Sequence, residues 1–406
     1  MLKSYFKIAI RNLAKHKLYS VVNIAGLTVA LTACLLIGLY VWNELRYDRF
    51  HANADRIARV TMEYSNAGSV NKTAVTGTRV GPEFKRRFPE IESFSRTIIG
   101  SRVISKGEKV FTEDHILFAD SAFFSMFSFQ LLQGDVNTCL NGPEKLVLTQ
   151  QAARKYFGKD DPLGQSLKLA DGSEMMVSGI ISDVPGNSQM QFDMVMPFMI
   201  LGAAKQEEQW FTANYVTYIL LQNKSSFSTL QQKITAFMKG VSRDELFPDS
   251  KDYLTHKLEK LTDVHLFSTV GGGLEPAGNI VYVYVLSIIA FLILLIACVN
   301  YTNLAVAQST GRTVEVGIRK VLGAQRKQLI TQFLGESLVI VVASLIFSIA
   351  LCFLLLPYFN DVSGTSIGFT AVADPMIMAV ILGAAVLVSA VTGLYPALLL
   401  SGKKLG

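Results

Sequence analysis

Four stretches of the chain, Val21 to Val41, Ile280 to Val299, Leu338 to Leu356 and Met376 to Leu400, contain no Asp, Glu, Lys or Arg. At about 1.5 Å of rise per residue, each can cross roughly 30 Å of hydrocarbon as a helix. Half of all residues are hydrophobic and the mean hydropathy is +0.35, too apolar for an ordinary soluble protein. The membrane therefore sets the frame for every other segment. Leu31-Thr32-Ala33-Cys34 has the look of a lipoprotein processing site, but Leu35 to Val41 stays apolar beyond the cysteine. A retained first span is the expectation.

Basic residues near the spans set orientation, because such flanks stay cytoplasmic. Lys3, Lys7, Arg11, Lys15 and Lys17 precede the first span; Arg312, Arg319, Lys320, Arg326 and Lys327 lie between the second and third; Lys403 and Lys404 follow the fourth. The loop from Pro357 to Pro375 has Asp361 and Asp374 and no basic residue. Both termini and the 308–330 loop are thus expected inside, with 42–279 and 357–375 outside. The inner segments hold 12 of the 38 basic residues, leaving 26 against 28 acids in residues 42–279. The net charge of +6 therefore records membrane topology, and no nucleic-acid partner is expected.

Residues 1–18 place Leu2, Phe6, Ala9, Ile10 and Leu13 on one helical face, as for an amphipathic interfacial helix on membrane lipid. The spans are bounded as 19–41, 280–307, 331–356 and 376–400, with a tail of 401–406. Gly26 and Ala30 form a small-x-x-x-small pair that permits close packing of the first span. Of four cysteines only Cys139 lies outside the spans, so the large domain must stand without an internal disulfide.

Within 42–279, Arg59 to Tyr64, Lys145 to Thr149, Met175 to Ser182 and Tyr215 to Gln222 read as strands. Helices alternate with them. Pro82 suits a first helical position and Pro89 a stop; Thr149 caps Gln150 to Phe157, which closes at Gly158; Phe227, Leu230, Ile234 and Phe237 make a stripe ended by Gly240. The fold class expected is an α-helical membrane protein of four transmembrane helices, with a mixed α/β exported domain in two lobes between spans one and two. Gly271-Gly272-Gly273 with Pro276 reads as a hinge or turn before the second span.

No G-x-x-x-x-G-K-[ST] occurs, so any ATP is handled by another chain. Gly364-Thr365-Ser366-Ile367-Gly368 fits a nucleophile elbow in letters only, since no histidine is near it in a short loop. His16, His51, His115, His256 and His265 show no ligand spacing; Asp114-His115 could meet His256 or His265, but solvated or core histidines are the expectation. Neither a catalytic residue nor a metal site is expected.

Read as a helix, Gly311 to Ala324 gathers Val314, Ile318, Val321 and Leu322 on one face and Arg312, Glu315 and Arg319 on another, with Gly323 as a stop. Such a helix either docks on something beneath the membrane or merely fixes topology with its charge. Asn300 to Leu304, then Arg312 with Glu315 to Val321 and Gly323-Ala324, then Phe333 to Ser337, resemble the signature of the FtsX/MacB-like ABC transporter permeases. ELRYDRFHANADRIARV (44–60), KLVLTQQAARKYFGKDDPLGQSL (145–167) and VSGIISDVPGNSQMQFD (177–193) are similar to that family's MacB-like periplasmic core domain. The version resembled has no fused ATPase. Gln308 replaces a usual Arg, Val314 a common Lys, and many relatives continue past the fourth span, so the chain is either a half-size permease or the first half of a longer one.

The resemblance implies a non-catalytic subunit in the bacterial inner membrane that acts by mechanotransmission. An ABC ATPase subunit would carry ATP and Mg, with no cofactor on this chain. A second permease copy or paralogue would complete a dimer, and a periplasmic adaptor could join it. Arg312, Glu315, Gly317, Ile318, Arg319, Lys320, Val321 and Gly323 would couple to the ATPase; alternatively Arg319 and Lys320 bind lipid phosphate. Glu336, Asn300 and Asn303 would be the intramembrane polar residues, with Glu336 near the start of the third helix. Export or extraction of a peptide, lipoprotein or drug, or signalling, are the implied tasks; a membrane-anchored receptor without transport is the alternative.

Overall fold

The structure, a computed structural model, describes residues 17–202, 209–211, 214–222, 225–274, 278–311 and 326–402. It divides into a helical unit, Met1–Asn43 with Val281–Gly406, and a sheet unit, Glu44–Ile280.

The helical unit contains α1 (Lys17–Leu45, whose last two residues belong to the sheet unit), α7 (Ile280–Gly311), α8 (Arg326–Ser363) and α9 (Pro375–Gly402). The stretches long and apolar enough to cross a membrane are Lys17–Leu45, Ile280–Ala307, Phe333–Ser363 and Pro375–Leu394. All four helices meet in one buried cluster, with Leu27, Tyr301, Val341 and Val388 among its members. A second cluster around Leu39, Cys352, Ile367 and Ile381 joins α1, α8 and α9. Outward residues such as Phe291, Ile296, Phe347 and Leu387 stay exposed, as helices bathed in lipid require. The third helix outruns its expected bounds: it passes through Pro357 to Ser363, so the following loop is shorter than 357–375. It also begins at Arg326, ten residues before Glu336. Because helix-terminus stabilisation fades within the first turn, the dipole role expected for Glu336 does not operate.

The sheet unit is built on one eleven-stranded mixed sheet. Its strands are β1 (Ile57–Asn66), β2 (Ser69–Thr73), β3 (Ile91–Lys106), β4 (Lys109–Ala119), β5 (Leu131–Gly134), β6 (Lys145–Thr149), β7 (Ser166–Leu169), β8 (Glu174–Ile181), β9 (Met194–Pro197), β10 (Val216–Leu221) and β11 (Leu254–Lys260). The order is β11-β1-β10-β3-β4-β9-β6-β8-β5, with β2 on β1 and β7 bridging β3 and β8. The helices are α2 (Val80–Arg87), α3 (Phe123–Met126), α4 (Gln150–Phe157), α5 (Phe227–Val241) and α6 (Leu261–Phe267).

Strand alternation assigns the faces. Ile57, Leu117, Val147, Val195, Val216 and Tyr218 point to one side, where Phe123, Phe124, Phe127, Phe129 and Phe192 form a continuous aromatic layer. Their neighbours point to the other side and form two separate clusters. Val60, Ile219 and Leu221 meet α2 and α5, while Ile116, Leu148 and Met194 meet α4. The two expected lobes are therefore two helix-covered halves of a single sheet. Each buried phenylalanine is worth about 1.5–3 kcal/mol, and Cys139 is a free thiol, so packing and not a disulfide holds the domain.

Local signals hold with small shifts. Thr149 accepts the Ala152 amide and Gly158 closes α4 at φ 65°. Pro82 is the third residue of α2 rather than the first, still within the turn whose amides need no partner. The α5 helix runs through Gly240 to Val241 and into a π turn, Ser242 to Leu246. Its side chains also cover the open edge of β11. Gln231 accepts the Leu258 amide at 2.7 Å and donates to the His256 carbonyl at 3.0 Å, and Ser242 bonds both the amide and the carbonyl of Leu254. A row of backbone groups that would otherwise invite another strand is thereby occupied.

Candidate functional site

The sheet unit begins at Glu44 and ends at Ile280, next in sequence to α1 and α7. Both of its ends close on one imidazole. His265, on α6, lies with Nε2 2.9 Å from a Glu44 carboxylate oxygen, and both side chains are buried. Its ring stacks on Tyr47 at a centroid distance of 3.6 Å and an angle of 5°. A β-carbon at residue 278 would come within 2.6 Å of His265 Nε2, so only glycine lets the exit segment pass this close. We call this convergence the stem.

The entry segment is pinned a second time. Asp48 adopts φ 56°, a left-handed conformation that Asp tolerates better than most residues. Its amide donates to Asn187 O at 2.9 Å, and its carboxylate accepts the Gln189 amide at 3.0 Å. Asn187 Nδ2 returns a bond to Arg46 O, and Tyr218 donates to Gln189 Oε1 at 3.1 Å. Next along the chain, His51 Nδ1 accepts the Ser128 amide at 3.0 Å, and its ring sits edge-on to Phe127 and Phe129. Burial lowers its pKa from 6.5 to about 3. The motif at 44–60 and the motif at 177–193 are thus one structural element. The glycine run before the second span is pinned as well, since Gly271 O accepts the Ala74 amide at 2.9 Å and Gly272 turns at φ 85°.

The helical unit has its own polar seam. Thr28 of α1 donates to the carbonyl of Ser344 of α8 at 3.4 Å and Ser344 donates back to Ile24 O at 3.3 Å, while the Thr32 hydroxyl bonds Thr28 O in its own helix at 2.7 Å and lies 3.4 Å from Ser348 O. All four hydroxyl residues are buried. Hydroxyls one helical turn apart on each of two facing helices let the backbones approach and tie them in a medium without water. Spacing by four within charge-free runs is the sequence signal for them. Tyr301 on α7 and Ser337 on α8 share a hydrogen bond of 3.1 Å. Gly393 on α9 packs tightly on α8, with atoms of Leu334 and Ser337 3.0–3.2 Å from where its β-carbon would be. Gly26 is different: nothing lies within 4 Å of its added β-carbon. With Ala30, Asn23 and Asn300 it lines a groove of about 450 Å³ between α1 and α7, so among the described residues no helix of this chain packs closely on Gly26.

Of the intramembrane residues expected, Asn300 and Asn303 are exposed on α7 and Glu336 is half-buried beside Ser337. The coupling residues Arg312, Glu315, Gly317, Ile318, Arg319, Lys320, Val321 and Gly323 lie outside the described residues, as do residues 1–16 of the expected interfacial helix. His115 lies 3.7 Å from Asp193 on the exposed side of β4, and His256 is sealed against Phe84 and Trp210 in β11, so the histidines are not brought together. Among the described residues no three His, Cys, Asp or Glu side chains form a metal cluster. The loop around Ser366 folds back on Asn360, which binds Ile367 through both amide atoms.

The model of the MacB-like periplasmic core domain matches residues 20–237, and that of the FtsX-like permease C-terminal matches residues 287–405. An uncharacterized ABC transporter permease, YknZ of Bacillus subtilis (strain 168), is 28% identical over 213 residues, covering 50% of this chain and 47% of its own. The macrolide export ATP-binding/permease protein MacB of Aggregatibacter actinomycetemcomitans is 20% identical over 350 residues, covering 82% and 50% respectively. The chain thus spans about half the length of these curated relatives. Among solved structures, the periplasmic region of MacB from Actinobacillus actinomycetemcomitans aligns at a TM-score of 0.34 and 14% identity, covering 48% of this chain and 87% of that one.

Proposed function

The chain belongs to the MacB/FtsX family of ABC transporter permeases, and on that premise we propose that it is a non-catalytic membrane subunit that relays work from a separate ATPase to its sheet domain. In this reading the four helices cross the bacterial inner membrane with both termini inside, and the sheet domain stands outside. The ATPase, carrying ATP and Mg, docks beneath the inner loop at Glu315, Gly317, Arg319 and Lys320. A second copy or paralogue completes the dimer. The cargo is a peptide, lipoprotein or drug, or the output is a signal.

The observation that carries the reading is the stem. A displacement of either flanking helix reaches the sheet domain through Glu44, Tyr47 and Gly278, which converge on His265, and through Asp48, which is bonded to the 187–189 loop. Buried, mutually bonded groups of this kind move together rather than absorbing the motion. The buried seam of Thr28, Thr32, Ser344 and Ser348 supports the reading by packing α1 directly on α8.

The test is co-purification of an untagged cognate ATPase with this chain in detergent. Wild type retains the ATPase and the double variant Arg319→Glu/Lys320→Glu loses it. Intact binding by the variant returns the chain to a membrane-anchored receptor without the docking helix.

A further inference from the structure

The helices α1 and α7 touch at mid-length, where Cys34 Sγ donates to Ala290 O at 3.3 Å. From that contact toward Asn23 and Asn300 they are separated by the groove of about 450 Å³. Leu27 and Tyr301, both buried, line its depth, while Val29 and Ile296 line it and stay exposed, so the groove opens sideways to the surrounding lipid. At Gly26 its wall is bare backbone, with nothing within 4 Å of an added β-carbon.

The two ends of the groove differ. Ala33 and Ile293 make one end apolar, while Asn23, Asn300 and Tyr301 make the other polar. The polar end has a definite depth. Exposed Tyr282 and Tyr284 on α7, with Trp42 on α1, mark the opposite membrane interface, where aromatic residues collect. From Tyr282 to Asn300 is about 27 Å of helix, and from Trp42 to Asn23 about 28 Å. Both spans match the roughly 30 Å of hydrocarbon, which sets the two asparagines level with lipid ester and phosphate groups. Asn300 is exposed and no described residue bonds its amide, so at that depth those oxygens are its partners. From Asn23 to Ala33 the groove runs about 15 Å, the depth of one leaflet. Its volume over that length leaves a cross-section of about 30 Å², too narrow for a helix 10 Å across, which fills about 80 Å². An extended alkyl chain fits.

We propose that the groove between α1 and α7 is a binding site for one glycerophospholipid, which lays an acyl chain along Gly26 and Ala30 and sets its ester and phosphate oxygens against the Asn300 amide. The lipid completes a pair of helices that meet at Cys34 and Ala290 alone would leave open. With both termini inside, the leaflet concerned is the inner one; its identity, though not the groove, rests on the orientation given under the proposed function.

The test uses the full chain, without an ATPase, in phosphatidylcholine nanodiscs doped with a phosphatidylcholine that carries a diazirine in one acyl chain. Peptide mass spectrometry maps the label. More label is expected on residues 22–33 and 293–301 than around Phe347 and Leu387, which face lipid outside the groove. Gly26→Leu fills the groove and removes that excess, whereas Gly38→Leu, equally unobstructed on α1 but outside the groove, leaves it unchanged. Asn300→Leu lowers the excess about threefold, the scale of one hydrogen bond within a membrane. Even labelling of all lipid-facing positions, or an excess indifferent to Gly26→Leu, overturns the proposal. So does an efficient oxidative cross-link between two Gly26→Cys copies that wild type does not form, because a second copy then occupies the groove. Since no ATPase is present, a negative result here leaves the coupling reading standing, and intact ATPase binding by Arg319→Glu/Lys320→Glu leaves the lipid site standing.

Discussion

Glu44 and His265 are separated by 221 positions in sequence and by 2.9 Å in space. Removing the carboxylate leaves a buried imidazole without that partner, a loss of about 1–3 kcal/mol. Glu44→Ala is therefore expected to lower the unfolding midpoint of the full chain in nanodiscs. His265→Phe keeps the stack on Tyr47 but leaves the buried Glu44 carboxyl without its partner, so its loss is at least as large. Equal midpoints for Glu44→Ala and wild type would remove the stem from the account.

Acid is expected to unfold the sheet domain through two rings. His51 and His256 are buried, and burial lowers each pKa from 6.5 to about 3. Between those values the unfolded chain binds more protons than the folded one, so stability is lost as pH falls. The slope is at most about 1.4 kcal/mol per pH unit for each ring. Glu63, held down by its bond from Lys257, adds a loss of the same sign below its usual 4.5. His256→Phe, measured by denaturant unfolding from pH 7 to pH 4, flattens the dependence by about half the histidine contribution. An unchanged slope contradicts the assignment.

Gln231 guards the edge of β11 with two hydrogen bonds to Leu258 and His256. Gln231→Ala exposes those backbone groups and costs about 1–3 kcal/mol for the pair. It also uncovers a strand edge. Both a lower midpoint and a rise in aggregated material by light scattering are expected; wild-type behaviour in both assays counts against the capping role.

Gly393 admits α8 so closely that even a methyl group meets Leu334 and Ser337. Gly393→Leu overpacks this contact and is expected to cost about 1–3 kcal/mol. Gly26→Leu, on the open groove, costs less than 1 kcal/mol on the same principle, since nothing stands within 4 Å. Thermal unfolding of the two variants side by side distinguishes them.

What the sequence made legible was local. Charge-free runs marked the four spans, and β6 was read to its end residues because an apolar run met a capping threonine at Thr149. The long β3–β4 hairpin was missed because its residues from 101 to 113 are largely exposed and carry no clean alternation. The stem was invisible for another reason. Its bonds join residues 141 and 221 positions apart, and no spacing rule reaches that far. The motifs at 44–60 and 177–193 were recognised separately by resemblance, and only the fold shows that Asp48 and Gln189 belong together.

The central claim is that work done on the inner loop arrives at the stem. Hydrogen exchange of the reconstituted permease–ATPase complex, with and without ATP and vanadate, measures this directly. The account predicts a nucleotide-dependent change in amides of residues 44–51 and 261–274 for wild type, absent in Arg319→Glu/Lys320→Glu. No nucleotide-dependent change at those amides, or the same change in the double variant, would contradict it.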